Sequence, residues 1–183
     1  VNANAMTQDW HKIIAPEHLN YIVGNPPFVG KNFRTPKQDA DLERIASSVP
    51  NPELLRLYKS LDYVTLWFIK SILLMQKNDN IRAALVSTNS ITQGEQVGAL
   101  WTWILAQGIH IQFAHRTFQW MNEDTGAGMA AVHCVIVGFG KENIKDKRLF
   151  VYDSIKGDPE EVKSININPY LLNAPNAVVT ARS

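Results

Sequence analysis

The sequence predicts an α/β domain with a sheet of parallel strands that ends in an antiparallel hairpin, and three observations carry that reading. Apolar runs at 19–23 and 81–87 alternate with longer stretches of helical periodicity. Strand, helix, strand, helix in this order implies parallel strands joined by right-handed crossovers. After Gly108 the pattern changes: Ile109, Ile111 and Phe113 alternate with His110, Gln112 and Ala114, and a further apolar run at 132–139 follows with no helical stretch between. Two such strands pair antiparallel or lie apart, and a closing hairpin is the expectation. Finally, Tyr21-Ile22-Val23-Gly24 stops at Asn25-Pro26-Pro27-Phe28. Each proline lacks a backbone N–H and fixes φ, so the chain must leave the sheet there in a rigid loop.

Taken in order, residues 1–18 show no clear period, and Gln8-Asp9-Trp10 stands before a polar connection containing Pro16. The run at 19–23 is continuously apolar, as a strand buried on both faces should be. Residues 30–51 are polar, with Lys31, Arg34, Lys37 and Arg44, and read as a loop holding one short helix near 39–47. Its basic residues follow directly on the Asn-Pro-Pro-Phe loop, which makes Lys31, Arg34 and Lys37 candidate phosphate contacts; a solvated surface loop is the equal alternative. Across 52–77, Leu54, Leu57, Tyr58, Leu61, Val64, Phe68, Ile72 and Met75 recur at helical spacing. Pro52 suits a first turn, and Asp62 is a candidate cap for a second helix if the stretch is in two pieces.

Residues 81–87 form the second strand, with Thr88-Asn89-Ser90 as its polar end. The helix at 94–107 carries Val97, Leu100, Trp101, Ile104 and Leu105 on one side, and Gly108 is its stop. A further short strand is expected at 149–152. Beyond it, residues 166–175 are rich in Asn and Pro, with Tyr170-Leu171-Leu172 as an apolar anchor. The expected organisation is a domain over 1–147 and a linker over 148–183 leading out of it.

Composition bounds the function. With 183 residues, 45% of them hydrophobic, the chain has the size and apolar content of one globular domain. A formal net charge of +1 argues against a strongly basic nucleic-acid wrapper and leaves room for a local basic patch. There is no apolar run of about 18 residues and no signal-peptide pattern, so no membrane partner is expected. Cys134 is the single cysteine, which excludes an internal disulfide and makes the cytoplasm the default setting. His11, His18, His110, His115 and His133 are scattered without metal-ligand spacing, and no metal is expected.

The loop at 25–28 offers an amide side chain, carbonyls with no competing N–H, and a flat apolar ring. Together these can grip a planar ring bearing an amino group, a nucleobase above all. The structural alternative is a rigid turn closing a strand.

Gly24-Asn25-Pro26-Pro27-Phe28-Val29-Gly30, with Leu61-Asp62-Tyr63-Val64 and Asn166-Ile167-Asn168-Pro169-Tyr170-Leu171, resembles the amino-methylating DNA methyltransferases that use S-adenosylmethionine. More narrowly it is similar to the large bacterial restriction–modification enzymes that combine methylation and cleavage in one chain. The resemblance implies a class I methyltransferase (Rossmann-like) sheet and adenine-N6 methylation of double-stranded DNA. It makes Asn25, Pro26, Pro27 and Phe28 the catalytic set: the Asn25 side-chain oxygen and the Pro26 carbonyl accept hydrogen bonds from the target amino group, and Phe28 stacks on the base. A base inside a duplex must be flipped out to reach them. In this family a second aromatic holds its outer face from the loop between the last strands. Phe118 is the first choice by position and Trp120 the second, against the alternative that either packs the hairpin.

The resemblance also makes Asp9 the acceptor for the amino group of the cofactor adenine, with Trp67 flanking that ring unless it is a core tryptophan. The family's Gly-rich loop, its three preceding strands and its target-recognition domain have no counterpart in this sequence. The expectation is the catalytic half of a methyltransferase domain from a longer protein, a fragment that alone binds cofactor poorly and is inactive. With its usual neighbour missing, the strand at 19–23 would be an exposed edge, to be covered by self-association or by the chain's own termini. Protein-glutamine and RNA-adenine methylation remain alternatives because both present planar amino groups. Cytosine N4 fits less well, since that subgroup usually has Ser in place of Asn25, and a non-catalytic nucleic-acid-binding remnant is the reading outside enzymes.

Overall fold

Strand pairing organises the chain into one six-stranded sheet: β1 (Tyr21–Gly24), β2 (Arg82–Thr88), β3 (His110–Trp120), β4 (Val132–Gly140), β5 (Lys147–Val151) and β6 (Glu160–Ser164), in the spatial order β1-β2-β4-β3-β5-β6. The computed structural model describes residues 3–120 and 132–179. β1 lies parallel to β2, with Ile22 opposite Ala83. β4 is antiparallel to both β2 and β3, and β5 is parallel to β3. It follows that β1, β2, β3 and β5 all run the same way. Their carboxyl ends therefore share one edge of the sheet.

The expected antiparallel pair is present as β3 and β4, and two more strands follow it. β5 begins at Lys147, so the division expected between 147 and 148 falls inside a strand, and the sheet continues to Ser164. β6 pairs Leu149 with Val162 through an otherwise charged sequence. Such a strand is held by its ladder and has no apolar run to announce it.

Among the helices, α1 spans Trp10–Ile13 and α2 spans Pro36–Ser48. α2 starts earlier than expected because Thr35 and Gln38 form a reciprocal capping box and Pro36 occupies the first turn. The stretch at 52–77 is indeed in two pieces, α3 (Pro52–Leu57) and α4 (Thr65–Met75), separated by a tight turn at Tyr58–Ser60 and a buried bend at 61–64. Asp62 does not cap α4 with its side chain. The bond to the helix is made instead by its backbone carbonyl, which accepts from the Thr65 hydroxyl at 2.7 Å. α5 (Gly94–Gln96) runs through a π-helical turn (Val97–Trp101) into α6 (Thr102–Ala106), and Gly108 closes the segment at φ 71°.

Alternation along β2 buries Ala83, Leu85 and Ser87. That face joins Ile111, Val135, Val137 and Phe139 with Phe68 and Ile72 of α4 and Trp101 and Ile104 of the last helical segment in one core. Phe68 stacks on Phe139 at 5.2 Å, and the Trp101 indole N–H donates to the Ile91 carbonyl at 2.7 Å. The opposite face behaves differently. β1 was expected to be buried on both faces, yet Tyr21 is 68% and Val23 79% exposed. Continuous apolar character reports what a strand can cover, and among the described residues that face stays open. Among the same residues β1 pairs with β2 alone, so the described termini do not close its edge.

On that face Phe113 lies directly across Gly138, where a Cβ would come within 2.0 Å of the ring. Gly138→Ala should destabilise the fold by about 1–3 kcal/mol through overpacking. Urea unfolding of wild type and variant checks this, and an unchanged midpoint would contradict it.

Candidate functional site

The carboxyl edge of the sheet gathers the polar and aromatic groups that sequence reasoning singles out, as expected for ligand sites of open α/β sheets. At the end of β1, Pro26 is buried, Phe28 is half-buried against the core, and Asn25 and Pro27 face solvent. The buried proline seats the loop and the ladder ends with Gly24 opposite Leu85. Beyond that point the loop must be held from its far side.

That hold comes from the bend at 61–64. Tyr63 donates its backbone N–H to the Val29 carbonyl at 2.9 Å, and the Asp62 carboxylate accepts the Lys31 backbone N–H at 2.8 Å. The other Asp62 oxygen accepts the Ser90 hydroxyl at 2.6 Å, and Ser90 shares a 2.6 Å bond with Thr88 at the end of β2. The Arg34 guanidinium bonds to the carbonyls of Leu61 and Lys59 and pairs with Asp39 at 2.6 Å. With its side chain 7% exposed, Arg34 is turned into the loop architecture. Lys37 is exposed on the first turn of α2, and Lys31 extends toward Glu95 at 3.5 Å.

Behind the bend, the buried Asp41 accepts hydrogen bonds from the Tyr63 hydroxyl (2.8 Å), Arg44 (2.9 Å) and Asn4 (3.3 Å). Burial alone would raise the Asp41 pKa; these donors outweigh it and hold the carboxyl below its usual range. Burial and that carboxylate push the Tyr63 phenol up.

An aromatic group stands at the ends of β3 and β5. From His115 to Phe118, β3 advances three residues while β4 advances two, from Ile136 to Cys134. This bulge turns Phe118 to the side of His115, where regular alternation would oppose them. His115 stacks on Phe150 at 4.2 Å and shares a 2.8 Å hydrogen bond with the Tyr152 hydroxyl. Phe118 in turn stacks on Tyr152 at 5.5 Å and lies 6.1 Å from Trp120. Burial lowers the His115 pKa and raises that of Tyr152. Phe118 and Trp120 thus sit on a strand, ahead of residues 121–131, which lie outside the described residues.

Asp9 caps α1, accepting the His11 backbone N–H at 3.1 Å, and is otherwise exposed. It lines a cavity of about 270 Å³ with Trp10, Arg44 and Lys70. The Lys70 ammonium donates to the carbonyls of Ala5 (2.8 Å) and Gln8 (2.6 Å) and lies 4.6 Å from the Trp10 ring centre. Trp67, one turn earlier on α4, packs edge to face on Tyr63 at 5.5 Å and does not line that cavity. An exposed carboxylate at a helix start can accept an amino group, and the half-buried indole that lines the cavity with Asp9 is that of Trp10 and not that of Trp67.

A family model described as "MmeI, DNA-methyltransferase domain" matches residues 1–151. The chain belongs to this family. It is 36% identical over 186 residues to "DNA methyltransferase A" of Bacillus subtilis (strain 168), covering 99% of this chain and 19% of that protein. The Type IIL restriction-modification enzyme MmeI, solved in complex with DNA, aligns at TM-score 0.90 and 46% identity over 100% of this chain and 23% of its own. The type IIG restriction endonuclease BpuSI aligns at TM-score 0.53 and 13% identity, over 78% of this chain and 16% of its own, a likeness of fold alone. This MmeI-family chain thus spans about a fifth of the length of its relatives.

In this member of the family, sequence reasoning missed Ser90, His115, Tyr152 and Lys70, and it cast Asp62 as a cap. Asp62 stood in the Leu61-Asp62-Tyr63-Val64 run, where a carboxylate amid apolar residues signals a buried acceptor. Lys70 stood among apolar residues in the same way, and its environment is testable. Burial, then the nearby Arg44, draw its pKa down to about 8, against Asp9 and Asp41. A lowered lysine binds fewer protons folded than unfolded between pH 8 and about 10.4, so its contribution to stability improves as pH rises through that window. An NMR titration of the Lys70 side chain should show a midpoint near 8; one near 10.4 would contradict the geometry.

Proposed function

We propose that this chain supplies the base-gripping part of a DNA adenine-N6 methyltransferase of a restriction–modification system. The observation that carries the reading is the exposed Asn25 beside a buried Pro26, at the carboxyl edge that also bears Phe118 and Trp120. Adenine N6 is a poor nucleophile because its lone pair is delocalised into the ring. The Asn25 side-chain oxygen and the Pro26 carbonyl accept the two N6 protons and draw that nitrogen toward a tetrahedral shape. Its lone pair then points out of the ring, which is electrostatic preorganisation combined with in-line placement.

Pro27 keeps the loop rigid, and Phe28 stacks on one face of the flipped base. Phe118, backed by Tyr152 and followed by Trp120, closes the other face. When bound, S-adenosylmethionine would supply an electrophilic methyl for N6, and the N6 proton released on methylation would pass to solvent. Asp9 would receive the amino group of the cofactor adenine; Trp67, packed on Tyr63, does not line the cavity beside Asp9. Lys31 and Lys37 meet backbone phosphates, while Arg34 acts by holding the loop. Beyond β6, where a linker was expected, Ile167 and Leu171 are buried in the same core as the sheet. The resemblance at 46% identity to MmeI, solved with DNA, supports DNA as the substrate.

Replacing Asn25 by Ala in the full-length protein should lower the rate of methyl transfer about 10²–10³-fold and leave duplex affinity nearly unchanged. Transfer of labelled methyl groups to DNA and a binding titration check both halves; undiminished transfer would refute the role of Asn25. Phe118→Ala should cost about 1–3 kcal/mol of base stacking. With 2-aminopurine at the target position, that loss should alter the fluorescence of the bound duplex, and identical emission from both proteins would count against the assignment.

A further inference from the structure

We propose that Asp62 is a positioning residue for methyl transfer, bolting the Asn25–Phe28 loop to the exit of β2. This rests on the reading of that loop as the base grip. Asp62 is 7% exposed, and burying a charge is costly unless its acceptor sites are filled. Both oxygens are used, and on different loops: one by the Lys31 backbone N–H (2.8 Å), three residues after Phe28, the other by the Ser90 hydroxyl (2.6 Å), two after the end of β2.

The main chain around Asp62 is itself fixed. Its N–H donates to the side-chain oxygen of the buried Gln96 at 3.0 Å, and its carbonyl accepts from the Thr65 hydroxyl. Tyr63 donates to Val29, so residues 29–31 are tied to residues 62–63 twice. A helix cap would explain a buried aspartate at this position, but α4 takes no cap from this side chain. What the carboxylate links is the base-gripping loop and the neighbouring strand exit, whose separation sets where Asn25 stands relative to the rest of the edge. A shift of about 1 Å in such a placement costs on the order of 100-fold in rate.

The test uses the full-length protein, with steady-state methyl transfer to duplex DNA. Asp62→Asn keeps the volume and loses an acceptor, because its amide nitrogen can only donate. Ser90→Ala removes the β2 link alone. Asp62→Asn should lower kcat about 100-fold and Ser90→Ala about tenfold, with KM for DNA and for S-adenosylmethionine within about threefold of wild type. A residue that merely stabilised the fold would lose activity in proportion to the unfolded fraction, with kcat per folded molecule unchanged. If Asp62→Asn does not fold, Ser90→Ala decides: wild-type kcat in that variant overturns the proposal. Absence of transfer by wild type would sink the functional reading and this inference with it; wild-type transfer matched by both variants overturns the positioning role alone.

Discussion

The parallel pairing of β1 with β2 is the constraint from which the rest of the edge follows. Opposing Ile22 to Ala83 and Gly24 to Leu85 forces both strands to finish at the same side of the sheet. The intervening chain must then cross back over one face, which is where α2, α3 and α4 lie in sequence. Inserting β4 antiparallel between β2 and β3 restores the common direction, so β3 and then β5 deliver their carboxyl ends to that edge too. Asn25, Ser90, Phe118 and Tyr152 come from widely separated parts of the chain. Strand direction brings them to one rim.

Two prolines make the first of these loops stiff and deprive it of donors, so it cannot be secured by extending the ladder. The security comes from outside. A buried bend at 61–64 supplies the Tyr63 N–H and the Asp62 carboxylate, and Arg34 closes over the carbonyls of Leu61 in that bend and Lys59 in the turn before it. The Asp41 network with Tyr63 and Arg44 then fixes the bend against α2. The loop is therefore held at one end by a sheet and at the other by charge-assisted hydrogen bonds, which are the stronger kind.

Much of this was legible in the sequence because the relevant signals are local. Asn-Pro-Pro marks the end of β1 and Gly108 marks a positive φ, whereas the alternation expected at 109–113 breaks at a bulge between Ile111 and Phe113, which leaves Phe113 on the open face and buries Gln112 and Ala114. Less legible were features that depend on partners far along the chain. The apolar spacing at 52–77 runs on through Leu61 and Val64 because the bend is itself buried, so periodicity alone reads across the break. The bulge that re-aims Phe118 leaves no composition mark, and β6 is a strand by pairing despite Glu160, Glu161 and Lys163. The Thr35–Gln38 capping box was present in plain sight and would have placed the start of α2. Asp62 and Ser90 could not be paired from sequence, since 28 positions separate them.

The identity of the methylated atom tests the central claim most directly. The full-length protein is incubated with duplex DNA and S-adenosylmethionine carrying a labelled methyl group, and the DNA is then digested to nucleosides and resolved by mass spectrometry. The account predicts label in N6-methyldeoxyadenosine. Label confined to a methylated cytosine, or none in DNA, would contradict it.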